Sequence, residues 1–223
     1  MPTVLVTGCD TGIGREFAVQ YSKAGYDVVA TYRDLANRLP DQAGMRHLAL
    51  DVTDFAQFDA AKRALGDTPI DILLSNAGIG RDPGVLGKLD FAFVQRVLAV
   101  NTVGPLKLVD TFVDNVAASS ERKLVFVTSR MGSIASNLSG AHYAYRASKA
   151  GLNAMGRSLA IDLYRRGIIV TMLHPGWVAT QGGGQGAALT PTESVAAMRE
   201  VVRRLGNHET GSFFAYNGNI LPW

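Results

Sequence analysis

The sequence predicts an α/β fold: a single doubly wound domain with a seven-stranded, mainly parallel sheet and helices on both faces. Three observations support it. Short apolar segments alternate with helical patterns along all 223 residues. Most of these segments are continuous apolar runs, which are typical of strands buried on both faces. A glycine-rich turn follows the first of them. Such alternation indicates right-handed βαβ crossovers and a sheet covered by helices on both sides.

The predicted elements follow one another in chain order. Strands are expected at Thr3–Thr7, Asp27–Tyr32, Met45–Leu50, Ile70–Ser75, Lys123–Ser129, Ile168–His174 and Ser212–Tyr216. Helices are expected near Gly12–Ala24, Asp54–Leu65, Lys88–Ala117, Tyr145–Arg166 and Pro191–Leu205, and Pro191 with Thr192 marks the start of the last one. Ligands of such sheets bind at the carboxyl ends of the strands, so motifs that follow strands are the candidates for function.

Composition narrows the class of protein. A content of 47% hydrophobic and 18% charged residues is ordinary for a globular protein, and 223 residues suit one domain, 1–223. The net charge is only +3 and the basic residues are scattered, which argues against nucleic acid or membrane partners. One cysteine excludes an intramolecular disulfide, and the chain enters a strand at once, so we expect a cytoplasmic location. The four histidines show no metal-ligand spacing, so no metal site is expected.

The first strand runs into a glycine-rich turn, Gly8-Cys9-Asp10-Thr11-Gly12-Ile13-Gly14, and then into a helix. In this context Gly8 allows the tight turn, Gly12 lets the backbone approach a pyrophosphate, and Gly14 permits close packing of helix on strand. The helix N-terminus offers unpaired N–H groups to the anion. Cys9 is either a small residue tolerated in this turn or a redox-sensitive thiol.

Tyr145 and Lys149 lie four positions apart at the start of a predicted helix, so both side chains emerge on one face. An ammonium beside a phenol favours the phenolate. An unperturbed tyrosine titrates near pH ~10, and a shift of roughly 2–3 units would make it an acid or base near neutral pH. Such pairs also arise by chance, so whether this one is functional depends on the other motifs of the chain.

Together these motifs resemble those of the short-chain dehydrogenase/reductase family, in the family's order and over the whole chain. They are the turn Thr7-Gly8-x-x-x-Gly12-x-Gly14, Ser75-Asn76-Ala77-Gly78 in place of Asn-Asn-Ala-Gly, Asn101, Ser129, Tyr145 with Lys149, and Pro175-Gly176-Trp177-Val178-Ala179-Thr180. Within the family, 129–135, 143–150, 189–191 and 213–223 resemble the C-factor and Sniffer-like carbonyl reductases. The resemblance implies a Rossmann-type fold, with a cofactor half at about 1–128 and a catalytic and substrate half at about 129–223.

The resemblance also implies catalytic roles. Tyr145 is expected to protonate the developing alkoxide during carbonyl reduction. Lys149 is expected to stabilise the phenolate and to hold the nicotinamide ribose, and Ser129 to donate a hydrogen bond to the substrate oxygen. Asn101 is expected to anchor a water that links Lys149 to solvent; alone it would be interpreted as a polar residue at a helix irregularity.

The expected cofactor is NADP(H) in preference to NAD(H). Tyr32 stands where NAD enzymes of the family carry an acidic residue, and Arg33 stands where NADP enzymes carry an arginine for the 2′-phosphate. Thr11 departs from the second basic residue that many NADP enzymes have. Asp51 is expected at the adenine, or else as a cap for the following turn. The expected cofactor contacts are Gly8, Thr11, Gly12, Ile13, Gly14, Arg33, Asp51, Val52, Asn76, Ala77, Gly78, Tyr145, Lys149, Pro175, Gly176, Val178 and Thr180.

The substrate is expected to be a small carbonyl or alcohol compound. Arg130, Met131 and Trp177 are candidate contacts, although Met131 and Trp177 could equally belong to the core. The glycine-rich stretch 181–188 is either a flap over the substrate or a surface linker, and His174 is interpreted as structural. The family pattern also implies a homodimer or homotetramer.

Two other functions compete with the reductase. A C-factor-like signalling or regulatory protein could bind nucleotide without depending on catalysis, but it would not need the complete set of Asn101, Ser129, Tyr145 and Lys149. An epimerase or dehydratase of the extended family also uses the Tyr and Lys pair. It has a different glycine spacing and a larger C-terminal region, so the chain fits it poorly.

Overall fold

The computed structural model describes residues 1–80, 84–180 and 186–223. The described strands form one seven-stranded sheet of order β3-β2-β1-β4-β5-β6-β7, in which every neighbouring pair is parallel. The strands are β1 (Thr3–Val6), β2 (Asp27–Tyr32), β3 (Met45–Ala49), β4 (Ile72–Ser75), β5 (Lys123–Val127), β6 (Ile169–His174) and β7 (Ser212–Ala215). The predicted fold class is thereby confirmed, with a sheet that is parallel throughout. The strand order reverses between β1 and β4, where a crevice opens at the carboxyl ends.

Helices cover both faces of the sheet. They are α1 (Gly12–Lys23), α2 (Phe55–Leu65), α3 (Phe91–Leu98), α4 (Gly104–Ala117), α5 (Tyr143–Asp162) and α6 (Pro191–Arg204). Val4 and Val6 of β1 pack with side chains of α1 and α6, whereas Leu5 packs on the opposite face with α2, α4 and α5. Because successive strand residues point to opposite faces, one apolar run supplies both core layers.

The predicted helix Lys88–Ala117 begins at Phe91 in the structure and contains a π-helical irregularity at Asn101. α3 and α4 are separated by a π-helical turn, Ala99–Val103, which contains Asn101. Gly104, which starts α4, packs closely on the loop after β3, since a Cβ there would lie 2.8 Å from the Val52 carbonyl oxygen. The wider turn inserts one extra residue per turn, and such insertions occur frequently at functional sites.

The start of α5 and the N-cap of α6 also differ from the prediction. α5 begins at Tyr143, two residues before Tyr145, and its α-helical part ends at Asp162. α6 begins at Pro191 as expected, but Thr190 is its N-cap instead of Thr192. The Thr190 hydroxyl accepts from the Glu193 N–H at 3.2 Å, and the Glu193 carboxylate accepts from the Thr190 N–H at 2.9 Å. This reciprocal pair is a capping box. Its N-cap is Thr190, the residue before Pro191, and Pro191 occupies the first helical position.

The helices of the described chain include none with the length and apolar character that a bilayer crossing requires. Val103 at the end of the π-helical turn, Leu106 in α4 and Ile161 near the end of α5 are exposed apolar side chains on the helical segments expected to mediate assembly. Assembly into a dimer or tetramer through these helices stays a prediction.

Candidate active site

A cleft of about 610 Å³ crosses the carboxyl ends of the central strands. Apart from Gly14 and Asn101, all of the site residues predicted from the sequence line it. They are Gly8, Thr11, Gly12, Ile13, Arg33, Asp51, Val52, Asn76, Ala77, Gly78, Ser129, Arg130, Met131, Tyr145, Lys149, Pro175, Gly176, Trp177, Val178 and Thr180. Residues from both halves of the chain therefore meet in one cavity, as the topology of the sheet requires.

The glycine turn after β1 forms one wall of the cleft. Gly8 has a φ of +72° and a Cβ there would lie 2.8 Å from the Ala77 Cα, so only glycine fits. Gly12 has a φ of +58° and starts α1, which leaves the first N–H groups of that helix at the cleft. A concave backbone surface with a helix N-terminus is suited to binding a phosphate group.

Gly14 and Asn76 lie behind this wall and hold its shape. The Asn76 side-chain amide donates to the carbonyl oxygens of Thr7 at 3.0 Å and Gly8 at 3.3 Å. The Thr7 hydroxyl in turn accepts from the backbone N–H groups of Asn76 and Ala77. A Cβ on Gly14 would overlap the Gly8 carbonyl oxygen and the Asn76 amide nitrogen. Asn76 thus lines the cleft while its side chain is committed to the turn.

Gly14→Ala is expected to lower the free energy of unfolding by about 1–3 kcal/mol and to weaken dinucleotide binding, because the added methyl group would displace the Asn76 amide or the turn itself. Chemical denaturation and dinucleotide titration measure the two effects. Gly80→Ala is the matched control, since a Cβ on Gly80 meets no described atom within 4 Å. Equal stability of the two variants would contradict the close packing at Gly14.

At the end of β3, one oxygen of the Asp51 carboxylate accepts from the Thr53 N–H at 2.9 Å and from the Thr53 hydroxyl at 2.7 Å. The cap that the sequence allowed is therefore present, and Asp51 also lines the cleft. Val52 beside it is 5% exposed. The two roles considered for Asp51 are compatible in this geometry.

Tyr32 is the last residue of β2. Its side chain is fully buried in the core and its hydroxyl accepts from the Leu39 N–H at 3.3 Å, so it does not line the cleft. Arg33 is exposed, lines the cleft, and makes no ion pair with a described residue. The Asp10 carboxylate, which the sequence did not single out, accepts from the N–H groups of Arg33 and Asp34 at 3.1 and 3.0 Å. This pair of bonds fixes the backbone from which the Arg33 side chain extends.

Tyr145 and Lys149 are neighbours on the first turns of α5, and both line the cleft. The Lys149 ammonium lies 5.9 Å from the centre of the Tyr145 ring. It donates to the Val127 carbonyl oxygen at 3.0 Å, at the end of β5. Burial disfavours the charged amine and lowers the pKa of Lys149 to about 8. The ammonium of Lys149 and the ring of Tyr145 therefore lie close together in one cleft, as their four-residue spacing predicts.

Ser129 follows β5, which ends two residues earlier than predicted, at Val127. It is 8% exposed and caps the short turn Arg130–Gly132, because its hydroxyl oxygen accepts from the Met131 N–H at 3.1 Å. Since the oxygen accepts in that bond, the hydroxyl hydrogen is left to donate into the cleft. Met131 and Trp177 also line the cleft, and Trp177 is 50% exposed, so it does not belong to the core.

Asn101 is fully buried in the π-helical turn, behind the cleft. Its side-chain oxygen accepts from the Ile79 N–H at 2.8 Å, and its amide donates to the Ile79 carbonyl at 3.0 Å and the Ser148 hydroxyl at 3.1 Å. These bonds tie the loop after β4 to α5, the helix that carries Tyr145 and Lys149. A Cβ on Gly78 would lie 3.3 Å from the Asn101 oxygen and 3.6 Å from the Lys149 ammonium, so the three residues are close together.

The sequence missed several residues that line the cleft: Asp10, Leu50, Thr53, Ile79, Gly80, Arg96, Val100, Val127, Thr128 and His174. Asp10 lies in the glycine turn and His174 at a strand end, so position alone could have found them. Arg96 and Val100 depend on how α3 crosses the sheet, which no local pattern reveals. Burial, with a smaller contribution from Arg130, lowers the pKa of His174 to about 4, so it is neutral near pH 7. Most of the predicted flap, residues 181–185, lies outside the described residues.

Three comparisons place the chain among known proteins. The family model for short chain dehydrogenase matches residues 2–187. The chain is 41% identical to C-signal of Myxococcus xanthus over 155 residues, which cover 70% of this chain and 93% of that protein. Its structure is similar to carbonyl reductase Sniffer of D. melanogaster, with a TM-score of 0.92 and 29% identity over 100% of both chains.

The structure is also similar to the NADPH-bound carbonyl reductase from chicken fatty liver. The TM-score is 0.89 at 28% identity, over 100% of this chain and 94% of that one. Among the described residues, no group of three or more histidine, cysteine or acidic side chains is placed to hold a metal ion. The glycine turn, the shared cleft and the family match lead to one conclusion: the chain belongs to the short-chain dehydrogenases, a family of oxidoreductases that use NAD(P).

Proposed function

We propose that the protein is an NADPH-dependent carbonyl reductase, equally an alcohol dehydrogenase in reverse, with Tyr145 as the general acid and base. The observation that carries the proposal is the position of the Lys149 ammonium, 5.9 Å from the Tyr145 ring in the same cleft as the glycine turn. The direct test is NADPH oxidation in the presence of a panel of aldehydes, ketones and quinones. If no member of the panel accelerates it, the proposal is contradicted.

The residues of the cleft fit a dinucleotide. Gly8 and Gly12 have positive φ angles, and a Cβ on either would press on Ala77 or Thr180, so this turn, which lines the cleft with bare backbone, requires glycine at both positions. The N-terminus of α1 would hold the pyrophosphate, and Asp51 with Val52 would hold the adenine. Gly78, Pro175, Gly176, Val178 and Thr180 line the remainder of the cleft toward Tyr145. NADPH, when bound, supplies the hydride for the reduction.

In the proposed mechanism the Ser129 hydroxyl donates a hydrogen bond to the substrate oxygen and holds it near Tyr145. The Tyr145 hydroxyl gives its proton to that oxygen as negative charge develops there. The Lys149 ammonium stabilises the resulting phenolate, and its low exposure strengthens the interaction because little water screens it.

Asn101 is proposed to position the catalytic helix and to hold a water on the path that returns a proton to Tyr145. Both hydrogens of its side-chain amide are donated to protein acceptors, so the side chain could hold a water only through an oxygen lone pair. Its bonds to Ile79 and Ser148 support the positioning role directly. They fix α5 against the loop that Gly78 begins.

NADP(H) is the proposed cofactor in preference to NAD(H), with Arg33 bound to the 2′-phosphate. Arg33→Ala is expected to lower kcat/KM for NADPH by about ten- to a hundredfold and to leave the value for NADH nearly unchanged, since only NADPH carries the phosphate. Initial rates with each cofactor at one substrate concentration measure the change. A wild-type preference for NADH, or an equal effect on both cofactors, would overturn the assignment.

A signalling function remains a second candidate, because the chain is similar to C-signal. The two functions differ in what they require of Tyr145, since a protein that only binds nucleotide needs no proton donor in the cleft. A biological role that survives Tyr145→Phe would favour the signalling function. Loss of that role together with reductase activity would favour catalysis.

A further inference from the structure

The cleft contains a cation, Arg130, that catalysis, as proposed above, does not use. Arg130 lies directly after Ser129 and lines the cleft. The turn that bears it is held firmly against α5, because a Cβ on Gly132 would lie 2.7 Å from the Lys149 carbonyl carbon. The Asn153 amide also donates to the Gly132 carbonyl oxygen at 3.4 Å. The backbone of Arg130 therefore has a defined position beside the proposed reaction centre.

The Arg130 side chain makes no hydrogen bond or ion pair within the described part of the chain, and it is exposed to the cleft. The cleft has two described carboxylates, both on the glycine-turn and β3 side. Asp10 is engaged by the backbone at the end of β2, and Asp51 by Thr53. The other described basic or titratable groups that line the cleft are Arg33, Arg96, Lys149, which is cationic at pH 7, Tyr145 and His174. Burial lowers the pKa of His174, and the positive charge of Arg130 lowers it further.

The substrate end is thus positively charged and lacks a described counter-ion, while Met131 and the half-exposed Trp177 supply apolar surface beside it. A planar guanidinium in such a setting matches a carboxylate, which it can bind through two parallel hydrogen bonds. We infer that the preferred substrates are carbonyl compounds that carry a carboxylate, with the carboxylate bound to Arg130 and the carbonyl oxygen at Ser129 and Tyr145. This inference rests on the proposed reductase function.

The test compares 4-formylbenzoate with its methyl ester, which has the same aldehyde and lacks the charge. In the wild type, kcat/KM for the acid is expected to exceed that for the ester. In Arg130→Gln, the acid-to-ester ratio should fall about tenfold, mainly through KM for the acid, because one cleft charge pair is lost. Arg130→Lys should restore part of the ratio. Arg63→Gln removes the same charge from the exposed surface of α2 and is the matched control.

The possible outcomes distinguish failure of the carboxylate site at Arg130 from failure of the reductase function. If the ester is reduced and Arg130→Gln leaves the ratio within about twofold of the wild type, the carboxylate site is refuted while the reductase function stands. If Arg130→Gln weakens NADPH binding as much as it raises KM for the acid, the guanidinium serves the cofactor, and the inference is again refuted. If neither aldehyde is reduced by the wild type, the reductase function fails for this substrate class and the inference fails with it.

Discussion

Tyr145→Phe is expected to lower kcat for carbonyl reduction by about a thousandfold, because it removes the hydroxyl proposed to protonate the substrate oxygen and leaves the ring in place. The phenyl ring fills the same space, so neither the packing of α5 nor the shape of the cleft should change. NADPH affinity should therefore stay within about twofold of the wild type. Steady-state rates and a fluorescence titration with NADPH measure the two quantities on the same preparation.

Tyr143→Phe is the matched control, since Tyr143 lies two residues earlier on the same helix, is exposed and does not line the cleft. Its rates should match those of the wild type. Comparable activity of the two variants would contradict the role given to Tyr145. A parallel loss of NADPH affinity in Tyr145→Phe would indicate that its hydroxyl holds the cofactor instead of driving proton transfer.

Lys149→Met is expected to reduce activity by at least about a hundredfold and, in the cofactor-free protein, to raise stability at neutral pH. The ammonium is buried and its pKa falls from an ordinary value of 10.5 to about 8, which corresponds to a cost of roughly 3 kcal/mol. Methionine removes this cost and has a similar length. It also leaves the Val127 carbonyl without its partner, at a cost of about 1–3 kcal/mol, so the net gain at pH 7 is at most about 2 kcal/mol.

The difference in the free energy of unfolding between Lys149→Met and the wild type is expected to depend on pH. Between pH 8 and pH 10.5 the unfolded chain keeps the proton on Lys149 while the folded chain has lost it. The unfolded state then binds more protons, so the free energy of unfolding of the wild type rises with pH in this window. The cost of the buried charge is complete below about pH 8 and disappears towards pH 10.5. The advantage of Lys149→Met should therefore vanish, and then reverse, as the pH rises.

Urea denaturation of the wild type and the variant at pH 7 and pH 10 measures the difference. Lys88→Met is the control, because Lys88 is exposed and its variant should show no such change between the two pH values. A difference between wild type and Lys149→Met that is the same at both pH values would contradict the low pKa. Retained activity in the variant would contradict the proposed support of Tyr145 by the ammonium.

Local patterns were sufficient for most of the secondary structure. Continuous apolar runs identify buried strands because both of their faces must be covered, and β1 shows this with Val4 and Val6 on one side and Leu5 on the other. The glycine turn was equally readable, since a positive φ at Gly8 and Gly12 is a requirement that few other residues meet. The pair Tyr145 and Lys149 followed from helical spacing alone.

Other features depend on groups that are distant in the sequence. The π-helical turn that joins α3 to α4 accompanies the bonds of Asn101 to Ile79 and Ser148, 22 and 47 residues away. Tyr32 and Arg33 are adjacent at the end of β2, yet the Tyr32 ring is buried in the core, where its hydroxyl accepts from the Leu39 N–H, and only Arg33 lines the cleft. Asp10 acts on the backbone of Arg33, which reaches it only because β1 and β2 are adjacent.

The fold class, the glycine-rich turn after β1 and the pairing of a phenol with an ammonium could be predicted from the sequence, because each depends on residues within a few positions of one another. Only the packing of distant segments determines which side chains share the cleft, that Lys149 is buried there, and that the exposed Arg130 guanidinium has no described counter-ion. Desolvation and charge distribution depend on the packing of distant segments. They therefore emerge only when the strands are side by side.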